Sequence, residues 1–166
     1  MLRKFFCVLS ACLILFSFGS CQSKSTLPPS LHSENLAFRL ADAFPTERGY
    51  AAYDPTATAL YFPESSDCLR EVAVLYSVRP DDYTEIGVFR LQNTSDRAIV
   101  TREISSYLQE LRETYAPQAE LYDPSQIDKL SAASFRVIGS YVIYTVMTEA
   151  EQQRFWKTAQ ALLNQI

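Results

Sequence analysis

Histidine and glycine are scarce in this chain, and its charge is negative. Among 166 residues there are one histidine and four glycines, and the formal net charge is −4. The lone His32 lies in a segment where nothing positions it as a base, which argues against Ser–His and Cys–His nucleophile pairs. The sequence has no Cys/His cluster for zinc and no Gly-rich phosphate loop, so we expect no metal and no cofactor. A negative charge argues against a nucleic-acid partner, because proteins that bind nucleic acids carry a basic surface.

Apolar residues, by contrast, are plentiful. Hydrophobic residues make up 48% of the chain and aromatic residues 13%. A chain of this length buries roughly 68–70% of its unfolded surface when it folds. It therefore needs neither disulfide bonds nor a metal, and it is too rich in core-forming residues to be disordered. We expect one globular domain.

A positively charged start followed by an uncharged stretch marks the N-terminus. Arg3 and Lys4 precede residues 5–18, which contain no charged side chain. The stretch has the length of a signal-peptide core and falls short of the ~20 apolar residues that cross a bilayer as a helix. We therefore predict a signal peptide over residues 1–20.

Two small residues and a cysteine, Gly19, Ser20 and Cys21, follow the apolar stretch. They resemble the lipobox of bacterial lipoproteins, with Phe18 standing where that pattern prefers leucine. The resemblance implies that the Cys21 thiol is diacylated and that Cys21 becomes the mature N-terminus. An uncleaved anchor and a plain secretory signal cut near Ser20 are the alternatives.

Residues 21–32 are predicted to form the lipidated cysteine and a flexible tether, because the run after Cys21 is polar and contains prolines. Loss of residues 1–20 removes two basic side chains and no acidic one, which changes the net charge from −4 to −6. Anionic lipid headgroups repel such a surface, so the acyl chains on Cys21 must hold the protein at the membrane. The expected location is the extracytoplasmic face of the cell membrane.

The cysteine positions are consistent with this prediction. Cys7 and Cys12 lie in the predicted signal peptide, and Cys21 is the predicted lipid attachment site. Cys68 is then left without a partner for an internal disulfide. Only Arg70 is near it in sequence to lower its pKa, so we expect a semi-buried structural thiol and not a reactive one.

Residues 33–166 are predicted to form the single folded domain. Helix caps, prolines and apolar spacing mark its helices, and β-branched and aromatic runs mark its strands. The two-residue link Gly139-Ser140 predicts a type II′ hairpin turn. The predicted elements are a helix capped by Ser33 and ended by Pro45, a short helix from Asp54-Pro55 through Tyr61, strands over 71–78 and 83–91, a long helix over about 96–115, a short helix over about 123–130, strands over 134–138 and 141–147, and a last helix with a capping box from Thr148 to Glu151.

In this order, pairs of strands alternate with helices. The order predicts an α+β domain with two layers, in which helices pack on an antiparallel four-stranded sheet. The core is expected to run ββαββα, with an extra N-terminal helix before it.

Three short segments carry a resemblance to a known family. They are Glu-Ile-Gly-Val-Phe at residues 85–89, Tyr115 with Pro117, and Gly-Ser-Tyr-Val at residues 139–142. Together with the element order and the lipobox, they resemble the domain-of-unknown-function family 4358, found in small lipoproteins of Gram-positive, Clostridia-like bacteria. The resemblance covers roughly residues 33–163. It implies the lipoprotein location and the fold, and it implies no known activity, ligand or catalytic residue.

One acidic residue, Glu85, falls on a strand face that is otherwise apolar. Alternation along the strand places it on one face with Tyr83, Gly87 and Phe89. Its carboxyl either lies in water near the end of the sheet, pairs with an arginine such as Arg136, or makes a polar contact in a pocket floored by Gly87. Glu85 is therefore the candidate ligand-binding residue, and no catalytic residue is predicted.

Two further features of the sequence, a pair of adjacent acidic residues and a group of three tyrosines, can each be interpreted in two ways. Asp81 and Asp82 suit a turn, with cation binding as the alternative. Tyr50, Tyr53 and Tyr61 suit packing in the core or at its edge, with carbohydrate stacking as the alternative.

These features favour a lipid-anchored, extracytoplasmic binding or interaction module of the cell envelope that catalyses no reaction. Its partner is expected to be an envelope protein or a small ligand. The alternative is a cell-envelope hydrolase that uses carboxylates such as Glu85 as acid or base. The chain is too short for the two-lobed hinge design of a solute receptor.

Overall fold

The computed structural model describes residues 31–165. The helices are α1 (Ser33–Ala43), α2 (Pro55–Tyr61), α3 (Arg97–Tyr122), α4 (Ser125–Ala132) and α5 (Glu149–Leu163). The strands are β1 (Tyr50–Ala52), β2 (Leu69–Ser77), β3 (Glu85–Leu91), β4 (Ser134–Ile138) and β5 (Tyr141–Val146). The predicted signal peptide and the lipid attachment site at Cys21 lie outside the described residues. Within the described range, no helix combines the length and the apolar character needed to cross a bilayer.

The strands form one antiparallel sheet in the order β1-β2-β3-β5-β4. This confirms the α+β class, but the sheet has five strands, so the prediction of four was wrong. The additional strand β1 pairs with β2 and places Tyr50 opposite Ser77. Its sequence, Tyr-Ala-Ala, is too short to show an alternating pattern, and pairing with β2 fixes it instead.

Helices cover both faces of the sheet. Every residue of β3 and of β5 is buried, so both faces of these central strands require a cover. On the face that carries Ile86 and Val88 the cover is α1 and α5. On the face that carries Phe89 and Tyr144 the cover is α3, α4 and the end of α2. The domain therefore has three layers, and the predicted two-layer arrangement was wrong.

Three local signals in the sequence are confirmed by the backbone. The Asp54 carboxylate accepts a hydrogen bond from the Ala57 amide at 2.8 Å at the start of α2. Gly139 has a φ of 60° and Ser140 does not have a positive φ, as a type II′ turn requires. Thr148 and Glu151 form the reciprocal capping box of α5.

Removal of this cap by Thr148→Ala is expected to lower the free energy of unfolding by about 1 kcal/mol. The Glu151 amide, which donates to the Thr148 hydroxyl, would lose its side-chain acceptor. Urea unfolding followed by the fluorescence of the lone tryptophan, Trp156, measures the change. Thr158→Ala within the same helix is the control and should not lower stability, because alanine has the higher helix propensity. Equal losses in the two variants would contradict the assignment of the cap.

Helix α3 runs further than the sequence pattern predicts. The expected end near residue 115 was wrong, because the helix continues through Pro117 to Tyr122. Proline removes one amide donor and favours a helix end. The turn after it persists because Ala119 is buried against the core and its carbonyl accepts the Asp123 amide at 2.9 Å.

Glu71 of β2 attaches the start of α1 to the sheet. Its carboxylate accepts the Ser33 amide at 3.0 Å and pairs at 3.2 Å with the buried Arg90. Desolvation acts to raise the pKa of Glu71, but these contacts and one from His32 hold it below its ordinary value. Ser33 is the first residue of α1, so its prediction as the cap was wrong. His32 contacts Glu71 at 3.0 Å, where a free tether residue was expected.

Candidate functional site

The candidate residue Glu85 begins β3 and lies beneath α3, with only 4% of its surface exposed. Three tyrosine hydroxyls donate hydrogen bonds to its carboxylate. Tyr107 donates to Oε1 at 2.8 Å, and Tyr53 donates to Oε2 at 3.5 Å. Tyr144 also donates to Oε1. The expectation that the carboxyl lies in water was therefore wrong.

Each tyrosine comes from a different element. Tyr53 directly follows β1, Tyr107 lies on the buried stripe of α3, and Tyr144 lies in β5. Tyr144 stands directly opposite Gly87 of β3 in the strand register. A Cβ at Gly87 would lie 1.9 Å from Tyr144 Cε1, so the missing side chain leaves the space that the ring occupies. The ring of Tyr144 thus fills the place where a pocket floored by Gly87 was expected.

Burial decides the ionisation of this cluster. It raises the pKa of Glu85 from 4.5 to about 7, although the three tyrosine hydroxyls act in the opposite direction. Burial, together with the nearby Glu85 charge, also raises the pKa of Tyr107 and of Tyr144, so both hydroxyls stay protonated as donors. Among the described residues no basic side chain forms an ion pair with Glu85.

The expected partner Arg136 lies elsewhere. Its guanidinium stands 5.0 Å from the centre of the Trp156 ring, on the opposite face of the sheet. The pairing of Glu85 with Arg136 was therefore a wrong expectation. Trp156 is 5% exposed and also packs edge-on against Phe155.

Tyrosine rings cover Glu85 on the side towards solvent. Tyr53 stacks on Tyr76 with 4.9 Å between ring centres, and Tyr61 lies 5.6 Å from Tyr53. These contacts are those of a packed ring for Tyr53, and Tyr50 donates its hydroxyl to the Phe44 carbonyl at 2.7 Å. Tyr61 packs on Tyr53 with one side of its ring and is 46% exposed. Glu85 is thus 4% exposed, and the hydrogen bonds of its carboxyl are made with tyrosine hydroxyls.

A second candidate site is a polar cleft at the end of the sheet where β3 begins and β5 ends. Its volume is about 350 Å³, within the range of small-molecule sites. The segment after α1, the turn between β2 and β3, α4 and the first turns of α5 form its walls. Its charged lining residues are Glu47, Arg79, Asp82, Lys129, Glu151 and Arg154.

The two adjacent acids of the β2–β3 turn bind basic side chains of the protein. Asp81 pairs with Arg79 at 2.6 Å, and Asp82 pairs with Lys129 at 2.7 Å. The hydrogen bond from Arg79 lowers the pKa of Asp81. For Asp82, desolvation acts upward, but the Lys129 ammonium and the Thr84 hydroxyl bring the pKa below its ordinary value. No group of three or more potential metal ligands occurs among residues 31–165.

Cys68 is buried and free, as the sequence predicts for a structural thiol. Burial raises its pKa, and the nearby carboxylates of Asp96 and Asp67 act in the same direction. The thiolate is therefore disfavoured, which is the opposite of what a nucleophilic cysteine needs.

The sequence interpretation missed the partners of Glu85 and the cationic side of the cleft. Lys129 is 47 residues from the Asp82 carboxylate that it contacts, and no local pattern connects them. One signal was available for Tyr144. A glycine inside a strand marks a close approach of another group, and Gly87 indicates that a large side chain lies across from it.

Neither a protein-family model nor a curated protein nor a solved structure matches the chain. The resemblance to family 4358 stays a prediction from the sequence. What the protein does is therefore inferred from its own residues and their geometry.

Proposed function

We propose that this protein is a lipid-anchored, extracytoplasmic binding module of the cell envelope that catalyses no reaction. The proposed anchor is the thiol of Cys21, ten residues before the first described residue, Leu31. Binding, and not chemistry, is the role that the described part of the chain supports best.

The polar cleft is the observation that carries this proposal. It is open to solvent, has a volume of about 350 Å³ and collects charged side chains from four separate segments. Its volume is that of small-molecule sites, and its charged side chains can fix the orientation of a polar ligand.

The burial of Glu85 supports the non-catalytic part of the proposal. The hydrolase alternative has one observation in its favour, since a pKa of about 7 suits a general acid or base. A catalytic group must, however, reach within hydrogen-bond distance of the reacting atom. Glu85 is 4% exposed and makes its contacts with tyrosines. Under the proposal, Glu85→Gln retains in-cell function, whereas loss of function without loss of stability would favour the hydrolase.

The anchor gives a direct prediction. Cys21→Ala removes the thiol that would carry the acyl chains, so the protein should leave the membrane fraction or accumulate as an unprocessed precursor. Metabolic labelling with a fatty-acid analogue should mark the parent chain and not the variant. Cys68→Ala, which keeps Cys21, is the control and should remain labelled and membrane-bound. Labelling of Cys21→Ala at the parent level would contradict the anchor.

The binding role is tested in the native membrane by cross-linking. A photoreactive residue at Glu47, which lines the cleft and has a side chain 68% exposed, should give one dominant adduct in intact cells. The same probe at Gln160, which is exposed on α5 outside the cleft, is the control. Mass spectrometry identifies the adduct as a protein or a small molecule. Equal background labelling at both positions would contradict a binding role for the cleft.

A further inference from the structure

Two of the three cations in the cleft have partners within the protein. Arg79 is held by Glu47 at 2.7 Å, and Lys129 is held by Asp82 at 2.7 Å. The third cation, Arg154, forms neither an ion pair nor a side-chain hydrogen bond with the described residues. Its guanidinium carries five N–H donors in a planar arrangement that fits a carboxylate.

A ring contact holds Arg154 at the wall of the cleft. Its guanidinium lies 5.7 Å from the centre of the Phe44 ring, and both residues line the cleft. Such stacking reduces the freedom that the side chain would lose when it binds an anion. Arg154 is exposed, so its guanidinium donors, which the described residues leave unused, are open to a ligand in the cleft.

An acidic group with a free oxygen lies on the same helix. Glu151 uses Oε2 to accept hydrogen bonds from the Thr148 amide at 2.9 Å and the Thr148 hydroxyl at 2.7 Å. Its Oε1 accepts none from the described residues. Residues three apart share one face of a helix, so Glu151 and Arg154 present opposite charges to the same cleft.

The charge balance of the cleft indicates the class of ligand. Three basic and three acidic side chains line the cleft, so its lining has no net charge. A ligand that also has no net charge, with one positive and one negative group, is electrostatically complementary to it. A phosphate dianion would meet repulsion from Glu47, Asp82 and Glu151. A larger cavity of about 800 Å³ lies between α4 and α5. It is lined by the acids Asp128 and Glu149 and by no basic residue, so it has no pair of opposite charges for a ligand.

We propose that the cleft binds a free α-amino acid, with its carboxylate on the Arg154 guanidinium and its ammonium group on Glu151 Oε1. This inference rests on the proposed binding function and gives the chemical class of its ligand. The polar walls contributed by Thr46, Thr84 and Gln126 then surround the side chain of the ligand.

Calorimetric titration of the full chain in non-ionic detergent with each of the twenty amino acids tests the proposal. At least one is expected to bind with a Kd of about 1 mM or tighter. Arg154→Gln should weaken that binding at least tenfold. Lys157→Gln, which removes the same charge from an exposed position of α5 outside the cleft, should leave it unchanged. The amide and the N-acetyl derivative of the same amino acid should each bind at least tenfold more weakly, because each lacks one of the two charges.

Three results would overturn the proposal: no binding by any amino acid, equal binding by Arg154→Gln and the parent chain, or tighter binding of inorganic phosphate. The cross-linking experiment at Glu47 separates this failure from failure of the proposed function. If no amino acid binds while the Glu47 probe still gives a dominant adduct, only the amino-acid inference falls. If neither experiment shows binding, both the amino-acid inference and the proposed binding function are wrong.

Discussion

Between about pH 4.5 and pH 7 the free energy of unfolding should fall by about 3 kcal/mol because of Glu85 alone. The folded protein keeps the Glu85 proton up to a pKa of about 7, whereas the unfolded chain releases it near 4.5. In between, unfolding releases a proton, so rising pH favours the unfolded state by about 1.4 kcal/mol per pH unit. The stabilisation is fully present below the unfolded pKa and is lost as the pH rises through the folded pKa.

Glu85→Gln is the variant that isolates this effect. Glutamine has the shape of the protonated carboxyl, and the hydroxyls of Tyr107 and Tyr144 can still donate to its carbonyl oxygen. The variant should match the parent chain near pH 5 and exceed it in stability near pH 8. Urea unfolding at a series of pH values, followed by Trp156 fluorescence, gives both curves. The difference in the free energy of unfolding between the two proteins cancels the contributions of all other titrating groups. If this difference does not change with pH, Glu85 does not hold a proton in the folded protein.

The order and type of most elements could be predicted because their signals are local. The Thr148 capping box, the Gly139 turn and the Asp54 cap act over three or four residues, and the structure has all three. What failed depends on distant partners. Strand β1 exists through its pairing with β2, and α3 continues past Pro117 because Ala119 is buried against the core.

The candidate site was predictable only in part, for the same reason. Alternation in the second predicted strand places Glu85 on an apolar face, and the structure confirms that position. Its partners Tyr53 and Tyr144 lie 32 and 59 residues away, so no spacing rule connects them. The cleft likewise brings Arg79 and Arg154 together from separate segments, and only the folded chain shows that one of them lacks a partner.

Gly87→Ala should lower the free energy of unfolding by about 3 kcal/mol, the upper part of the usual range for overpacking. The added Cβ would lie 1.9 Å from Tyr144 Cε1 and 2.4 Å from Cδ1. The Tyr144 ring is fully buried, packs beside Phe62 and Phe89, and holds its hydroxyl on Glu85. It can avoid the methyl group only by disturbing these contacts. Urea unfolding measures the loss.

Tyr144→Val provides the background that assigns this cost to the ring. Valine suits a strand and lacks the ring atoms that a Cβ at position 87 would meet. In this background Gly87→Ala should cost less than about 0.5 kcal/mol, because alanine otherwise reduces the entropy of the unfolded chain. The two substitutions should therefore show a coupling energy of about 2 kcal/mol or more in a double-mutant cycle. If Gly87→Ala lowers the free energy of unfolding equally in both backgrounds, the glycine is required by the backbone of β3 and not by the Tyr144 ring. The missing side chain at position 87 would then not be the reason that the Tyr144 hydroxyl can contact Glu85.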